Sequence, residues 1–254
     1  MKPVVLWAVP RSVSTAFERV FVERDDFEVL HEPFAACYYY SDERCSDRFA
    51  DADADPGSRY ETVLAEVTRP RERRVFVKDM ATHVRPLMGA ELAGRFVNSF
   101  IVRSPDEALS SLHEKWPDFT EEEAGYEQLA RMYDVCVQRG EDPPVVDAAD
   151  LLADPRGTLA AYCERLVIPF DASALTWEPG TVGEWSSWDG WHERAQETSG
   201  FSRPRQRTLP PELEPLRDRV LPFYERLRDR RLQPPAGPDA GGRRRLDHPE
   251  RVVD

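Results

Sequence analysis

Val4-Val5-Leu6-Trp7-Ala8-Val9-Pro10-Arg11-Ser12-Val13-Ser14-Thr15-Ala16-Phe17-Glu18-Arg19-Val20-Phe21 is the stretch that decides the fold. The run from Val4 to Val9 is apolar without a break and is stopped by Pro10. A half-exposed strand would alternate, so this one reads as buried on both faces. Ser14 or Thr15 can cap a helix that carries Phe17, Val20 and Phe21 on one side. Between strand and helix lies a short polar loop. A buried strand running into such a loop and then a helix aims backbone N–H groups at one spot, where the helix dipole adds partial positive charge. Arg11 contributes a full charge with a forked donor, and Ser12, Ser14 and Thr15 contribute hydroxyls. The natural occupant is an anion, a phosphate group above all.

Outward from this stretch, strands and helices alternate. Phe27–Leu30, Arg74–Asp79, Ser99–Arg103 and Val145–Asp147 read as further strands. Helical patterns cover Tyr60–Thr68, Ala90–Phe96, a segment opened by Pro105, Glu121–Arg139, Pro155–Leu166 and Pro211–Arg230. The alternation predicts an α/β fold, a three-layer P-loop-type parallel sheet flanked by helices and joined by right-handed crossovers. A single domain is expected over residues 1–232. It carries an acidic surface insertion at about 41–58, and a disordered Pro-, Gly- and Arg-rich tail follows over 233–254. The Asp51, Asp53, Asp55 run hints at a calcium loop but fails the pattern. Pro56 stands at the glycine position and Thr62 where the bidentate Glu belongs.

Composition narrows the function. The chain has 254 residues and a formal charge of −13, which disfavours nucleic acid and anionic membranes as partners. Lys occurs only at positions 2, 78 and 115 against a background of Arg, which singles out Lys78 as a lysine kept for its chemistry. Cys37, Cys45, Cys136 and Cys163 form no CxxC pair and no His spacing suits zinc, so no metal is expected. The N-terminal apolar run is too short for a leader or a span, and a cytoplasmic protein with reduced thiols is the expectation.

The phosphate loop lacks the GxxxxGK[ST] signature, having neither Gly nor Lys, which disfavours an ATP or GTP enzyme of the common type. Pro10-Arg11-Ser12-Val13-Ser14-Thr15 instead resembles the 5′-phosphosulfate loop of sulfotransferases, where PRSGST and PKSGTT forms are typical. Phe100-Ile101-Val102-Arg103-Ser104-Pro105, followed by Ser111, resembles the 3′-phosphate site of the same family. There an Arg at a strand end and a Ser two turns along the next helix hold that phosphate. Arg103 would stand at the carboxyl edge of the sheet, where doubly wound folds bind ligands. Val146–Pro155, with Leu159, Cys163 and Leu166 behind it, is similar to the family's late strand and helix. The N-terminal half looks like a bacterial and plant subgroup marked by W-x-x-P-R-S-x-S-T-A and a following E-P pair.

The resemblance implies a sulfotransferase that moves a sulfuryl group from 3′-phosphoadenosine-5′-phosphosulfate (PAPS) to a hydroxyl or amine of a small-molecule acceptor. Specialised metabolism is the expected setting. The product would be 3′,5′-diphosphoadenosine, with no metal, no nucleic acid and no membrane involved; the oligomeric state stays open, a homodimer included. Arg11, Ser12, Val13, Ser14 and Thr15 would hold the 5′ end, and Arg103 and Ser111 the 3′-phosphate. Glu32, in His31-Glu32-Pro33, is the expected base, with His83 the runner-up and His31 third. Arg11 and Lys78 would share the charge on the departing phosphate. Val13 departs from the family's Gly and Arg11 from its frequent Lys. Arg203 and Arg205 are candidates for a late basic loop. Trp177, Trp185, Trp188 and Trp191 either line an acceptor pocket or pack. Two alternatives stand beside this reading: a P-loop phosphotransferase on a small metabolite, and a non-catalytic relative that only binds.

Overall fold

The computed structural model describes residues 1–180, 197–202 and 207–233. Trp185, Trp188, Trp191, Arg203, Arg205 and the tail from residue 234 lie outside the described residues.

Five strands form one all-parallel sheet: β1 (Val4–Ala8), β2 (Phe27–His31), β3 (Arg74–Met80), β4 (Val97–Val102) and β5 (Val145–Asp147), in the order β2-β3-β1-β4-β5. The chain lays β1 down in the centre and sends β2 to one edge. It then fills the gap with β3 and crosses to the other side for β4 and β5. Ala8 is in register with Met80 on β3 and with Ile101 on β4. The carboxyl end of β1 is therefore the topological switch point, where the loops after β1 and β4 diverge and leave a crevice.

The apolar run predicted for β1 is buried at every residue. Its alternate residues serve two cores. Val5, Trp7 and Val9 face one, beneath α5 (Pro105–His113), α7 (Tyr126–Gln138) and α10 (Glu214–Arg228). Val4, Leu6 and Ala8 face the other, beneath α1 (Ser14–Val22) and α9 (Pro155–Arg165). In the second core Phe21 stacks on Phe76 with ring centroids 3.8 Å apart, which is how the helix after the phosphate loop is seated on β3. The Trp7 indole N–H, buried in the first core, donates to Asn98 Oδ1 at 3.0 Å.

Three local features depart from the sequence expectation. A short helix α2 (Ala35–Tyr39) follows β2; it carries no side-chain cap, so no cap signal announced it. The helix expected over 121–139 is broken into α6 (Glu121–Ala124) and α7 by Gly125, whose φ of 77° suits a residue without a Cβ. The break sets Gly125 against Pro10, so the α6–α7 corner braces the phosphate loop. Residues 51–57 of the acidic segment are exposed, yet its base is anchored. Arg48 donates twice to Glu123, at 2.6 Å each, and to Asp118, and its guanidinium lies 4.3 Å over the Trp116 ring. Between these elements lie α3 (Tyr60–Thr68), α4 (Ala90–Ala93) and, after β5, α8 (Ala148–Ala153).

Candidate active site

The loop after β1 is wound tightly. Arg11 has φ 62° and Val13 has φ 69°, both in the left-handed region that a β-branched residue rarely enters. Val13 is the N-cap residue of α1 and gives the helix no side-chain cap. Ser12 is fully buried, and its hydroxyl donates to Val9 O at 2.7 Å, closing the loop from within.

Arg103 follows β4 and sits 4% exposed. It donates to the Arg11 carbonyl at 2.9 Å and contacts Glu107 at 3.3 Å, and its own carbonyl accepts from the Tyr126 hydroxyl at 2.7 Å. Arg11 Nε donates to Ser111 Oγ at 3.0 Å. The two segments singled out by sequence thus meet at the switch point. Arg11, Ser12, Val13, Ser14 and Thr15 come from the first, and Arg103 and Ser111 from the second.

Two further clusters flank the crevice. Lys78 and Asp79 are consecutive on β3 and so point to opposite faces of the sheet. On the α1 face the Lys78 ammonium is ion-paired with Glu32, the two side chains being 1% and 11% exposed. Glu32 has φ 44°, its N–H donates to Lys78 O at 2.7 Å, and His31 Nε2 stands 3.7 Å from its carboxylate. His31 Nδ1 meets Glu18 Oε2 at 2.7 Å, and Glu18 is wholly buried. Burial pushes the Glu32 carboxyl up, but the charge of Lys78, helped by His31 and His83, overcomes it and holds the group well below the carboxylate range.

On the other face Asp79 is fully buried; its carboxylate accepts from Phe34 N and Met80 N at 2.8 Å each and lies 2.7 Å from His83 Nδ1. The Tyr38 and Tyr39 rings flank His83 at 5.4 and 5.5 Å, and the Tyr60 hydroxyl donates to its carbonyl at 2.9 Å. Beyond His83 the rings continue: Tyr39 to Phe49 at 5.5 Å and to Trp116 at 6.1 Å, Phe49 to Tyr40 at 5.1 Å. Sequence reasoning had looked to Trp177 and its neighbours for an acceptor wall. Trp177 is instead 5% exposed and packed against Phe201 in the α1-side core, which is the packing role also allowed for it. Asp79, Glu18 and this aromatic group were not singled out by sequence; an acidic residue at the end of a largely apolar strand, next to Lys78, was the one signal for Asp79.

No described helix is long and apolar enough to cross a membrane. Among the described residues, no group of three or more His, Cys, Asp or Glu is placed to hold a metal ion.

The family described as a sulfotransferase domain matches residues 1–231. Two proteins of Arabidopsis thaliana, named branched-chain-amino-acid aminotransferase-like proteins 2 and 1, are 31% and 32% identical over 90% and 87% of this chain. The matches span only 42% and 41% of those longer proteins. Among solved structures, the sulfotransferase domain of the Synechococcus PCC 7002 olefin synthase is similar, with a TM-score of 0.56 at 16% identity, covering 88% of this chain and 94% of that one. That likeness bears on the fold. With the family match extending from the phosphate loop through both flanking clusters to the end of α10, the chain belongs to the sulfotransferase domain family.

Proposed function

We propose that the protein is a PAPS-dependent sulfotransferase acting on a hydroxyl or amine of a small molecule. The observation that carries this is the meeting of Arg11, Arg103 and Ser111 at the switch point, beside the N-terminus of α1. A donor with phosphate at both ends fits that arrangement: the loop of residues 11–15 takes the 5′ end, and Arg103 with Ser111 takes the 3′-phosphate. When bound, the donor supplies an electrophilic sulfur and a phosphate leaving group. Arg11 and Lys78 supply positive charge where that phosphate departs. Glu32 and His83 are the two groups placed to take the acceptor's proton. The rings of Tyr39, Phe49 and Trp116 are the wall against which the acceptor is held. We place the activity in residues 1–232, in the cytoplasm and in specialised metabolism.

Calorimetry tests the reading directly. 3′,5′-Diphosphoadenosine is expected to bind without a metal, and ATP with Mg²⁺ is expected not to. Binding of ATP alone would overturn it in favour of a phosphotransferase, and binding of neither would leave a non-catalytic relative.

A further inference from the structure

We propose that Asp79 is a positioning residue. It fixes His83 with its Nδ1–H turned inward and its Nε2 presented to the acceptor, and so makes His83 the base. This rests on the sulfotransferase reading above. The carboxylate of Asp79 already accepts from two backbone N–H groups, so what remains to it for the His83 ring is acceptor capacity. Nδ1, at 2.7 Å, must then be the donor, and the neutral ring carries its lone pair on Nε2. Among the described residues nothing hydrogen-bonds to His83 Nε2. The ring cannot easily turn over: Tyr38 and Tyr39 flank it, and the Tyr60 hydroxyl anchors its backbone. The aromatic group of Phe49 and Trp116 continues outward from Tyr39.

Glu32 is differently placed. Its carboxylate is engaged by Lys78 and approached by His31, and the Lys78 charge, against the effect of burial, holds it well below the carboxylate range. An effective base works near the operating pH, which an acid so strongly ionised does not. Glu32 instead keeps Lys78 at the crevice.

In the step itself the acceptor oxygen forms its bond to sulfur as the bond from sulfur to the 5′-phosphate oxygen breaks. The electron pair leaves on that phosphate, beside Arg11 and Lys78. The acceptor's proton goes to His83 Nε2 and later to solvent. The Nδ1 proton stays where it is, because Asp79 stabilises the imidazolium without taking a proton.

The test is the tautomer of His83, read from nitrogen-15 chemical shifts in the donor-free chain and assigned by comparison with His83→Gln. The wild-type ring is expected to carry its hydrogen on Nδ1. In Asp79→Asn the new amide can donate to Nδ1, and the hydrogen is expected to move to Nε2. Turnover, followed as sulfuryl transfer from PAPS to water, is expected to fall about 100-fold or more in kcat. Affinity for 3′,5′-diphosphoadenosine is expected to stay within about twofold, since Asp79 touches none of the phosphate-site residues. A wild-type ring with its hydrogen on Nε2 would overturn the proposal. So would an Asp79→Asn enzyme that keeps its kcat. Failure of the sulfotransferase reading would look different, as absence of diphosphoadenosine binding by the wild-type chain. Should Asp79→Asn not fold, the wild-type tautomer still decides.

Discussion

Replacing Lys78 by Met removes a cation while keeping an unbranched apolar stem, so the change isolates the charge. Lys78 and Glu32 are both withdrawn from water, at 1% and 11% side-chain exposure. Breaking a buried pair by deleting one partner costs about 3–5 kcal/mol, because the other charge is left uncompensated. Two features put this site at the low end. Glu32 keeps some contact with solvent, and His31 Nε2 is a polar neighbour 3.7 Å away. The donor-free Lys78→Met chain is therefore expected to lose about 3 kcal/mol at neutral pH, and the double variant Lys78→Met/Glu32→Gln to recover about 2 kcal/mol of it. The pH dependence has a defined sign. The folded-state pKa of Glu32 is lowered from its ordinary 4.5, so its stabilising contribution is complete above that value and is lost as pH falls below it. In Lys78→Met that contribution is gone at every pH, so the gap between the two chains should narrow on acidification. Equilibrium unfolding in urea at pH 7 and at pH 4, followed by tryptophan fluorescence, measures both quantities. Additivity of the two substitutions within about 0.5 kcal/mol, or a gap that does not change with pH, would refute the coupling.

Val13→Gly should stabilise the fold by about 0.5–1 kcal/mol: left-handed backbone costs a side-chain-bearing residue about 1–2 kcal/mol, and the added freedom of glycine in the unfolded chain offsets part of that; a lower Tm in a thermal melt would contradict it. Arg103→Ala should weaken 3′,5′-diphosphoadenosine by about 2 kcal/mol, roughly thirtyfold, as calorimetry would record, and unchanged affinity would remove Arg103 from the site. Burial pushes the Cys37 and Cys136 thiols up to about 12, so they should resist a thiolate-directed reagent at pH 8 while half-buried Cys45 reacts first. Because the unfolded chain releases those two protons near pH 9 and the folded one does not, stability should decline as pH rises past 9.

The parts of the site that were legible in the sequence are those whose cause is local. The apolar run before Pro10 and the polar loop after it specify a strand and a helix start within eighteen consecutive residues. Arg103-Ser104-Pro105 does the same for the end of β4 and the start of α5, Pro105 being found at the first turn. The pairings between strands were not legible. Lys78 meets Glu32 only because β2 lies beside β3 with His31 opposite Lys78, and that register depends on the whole sheet. Asp79 meets His83 because the chain turns directly from β3 into a 3₁₀ segment, Ala81–Leu87, that returns His83 one turn later. The left-handed conformation of Glu32 had no sequence signal, since the residue type argues against it. Arg48 looked like one more charge in a solvated loop, and only the partner side chains of Glu123, Asp118 and Trp116 show it to be an anchor.

The strand order has a consequence for how the chain is made. β1, the first strand of this sheet along the chain, is the central one, and its neighbours are β3 and β4. One edge of Val4–Ala8 stays unpaired until β3 is complete at residue 80 and the other until β4 is complete at residue 102, so an apolar and aggregation-prone strand is exposed while much of the chain is still to come. Contacts of such long sequence separation also slow folding, since loop entropy must be overcome before they form. Production of this protein is therefore expected to be limited by capture of the early chain rather than by stability of the finished fold. Slower synthesis at low temperature or a holding chaperone should raise the soluble yield more than stabilising substitutions do.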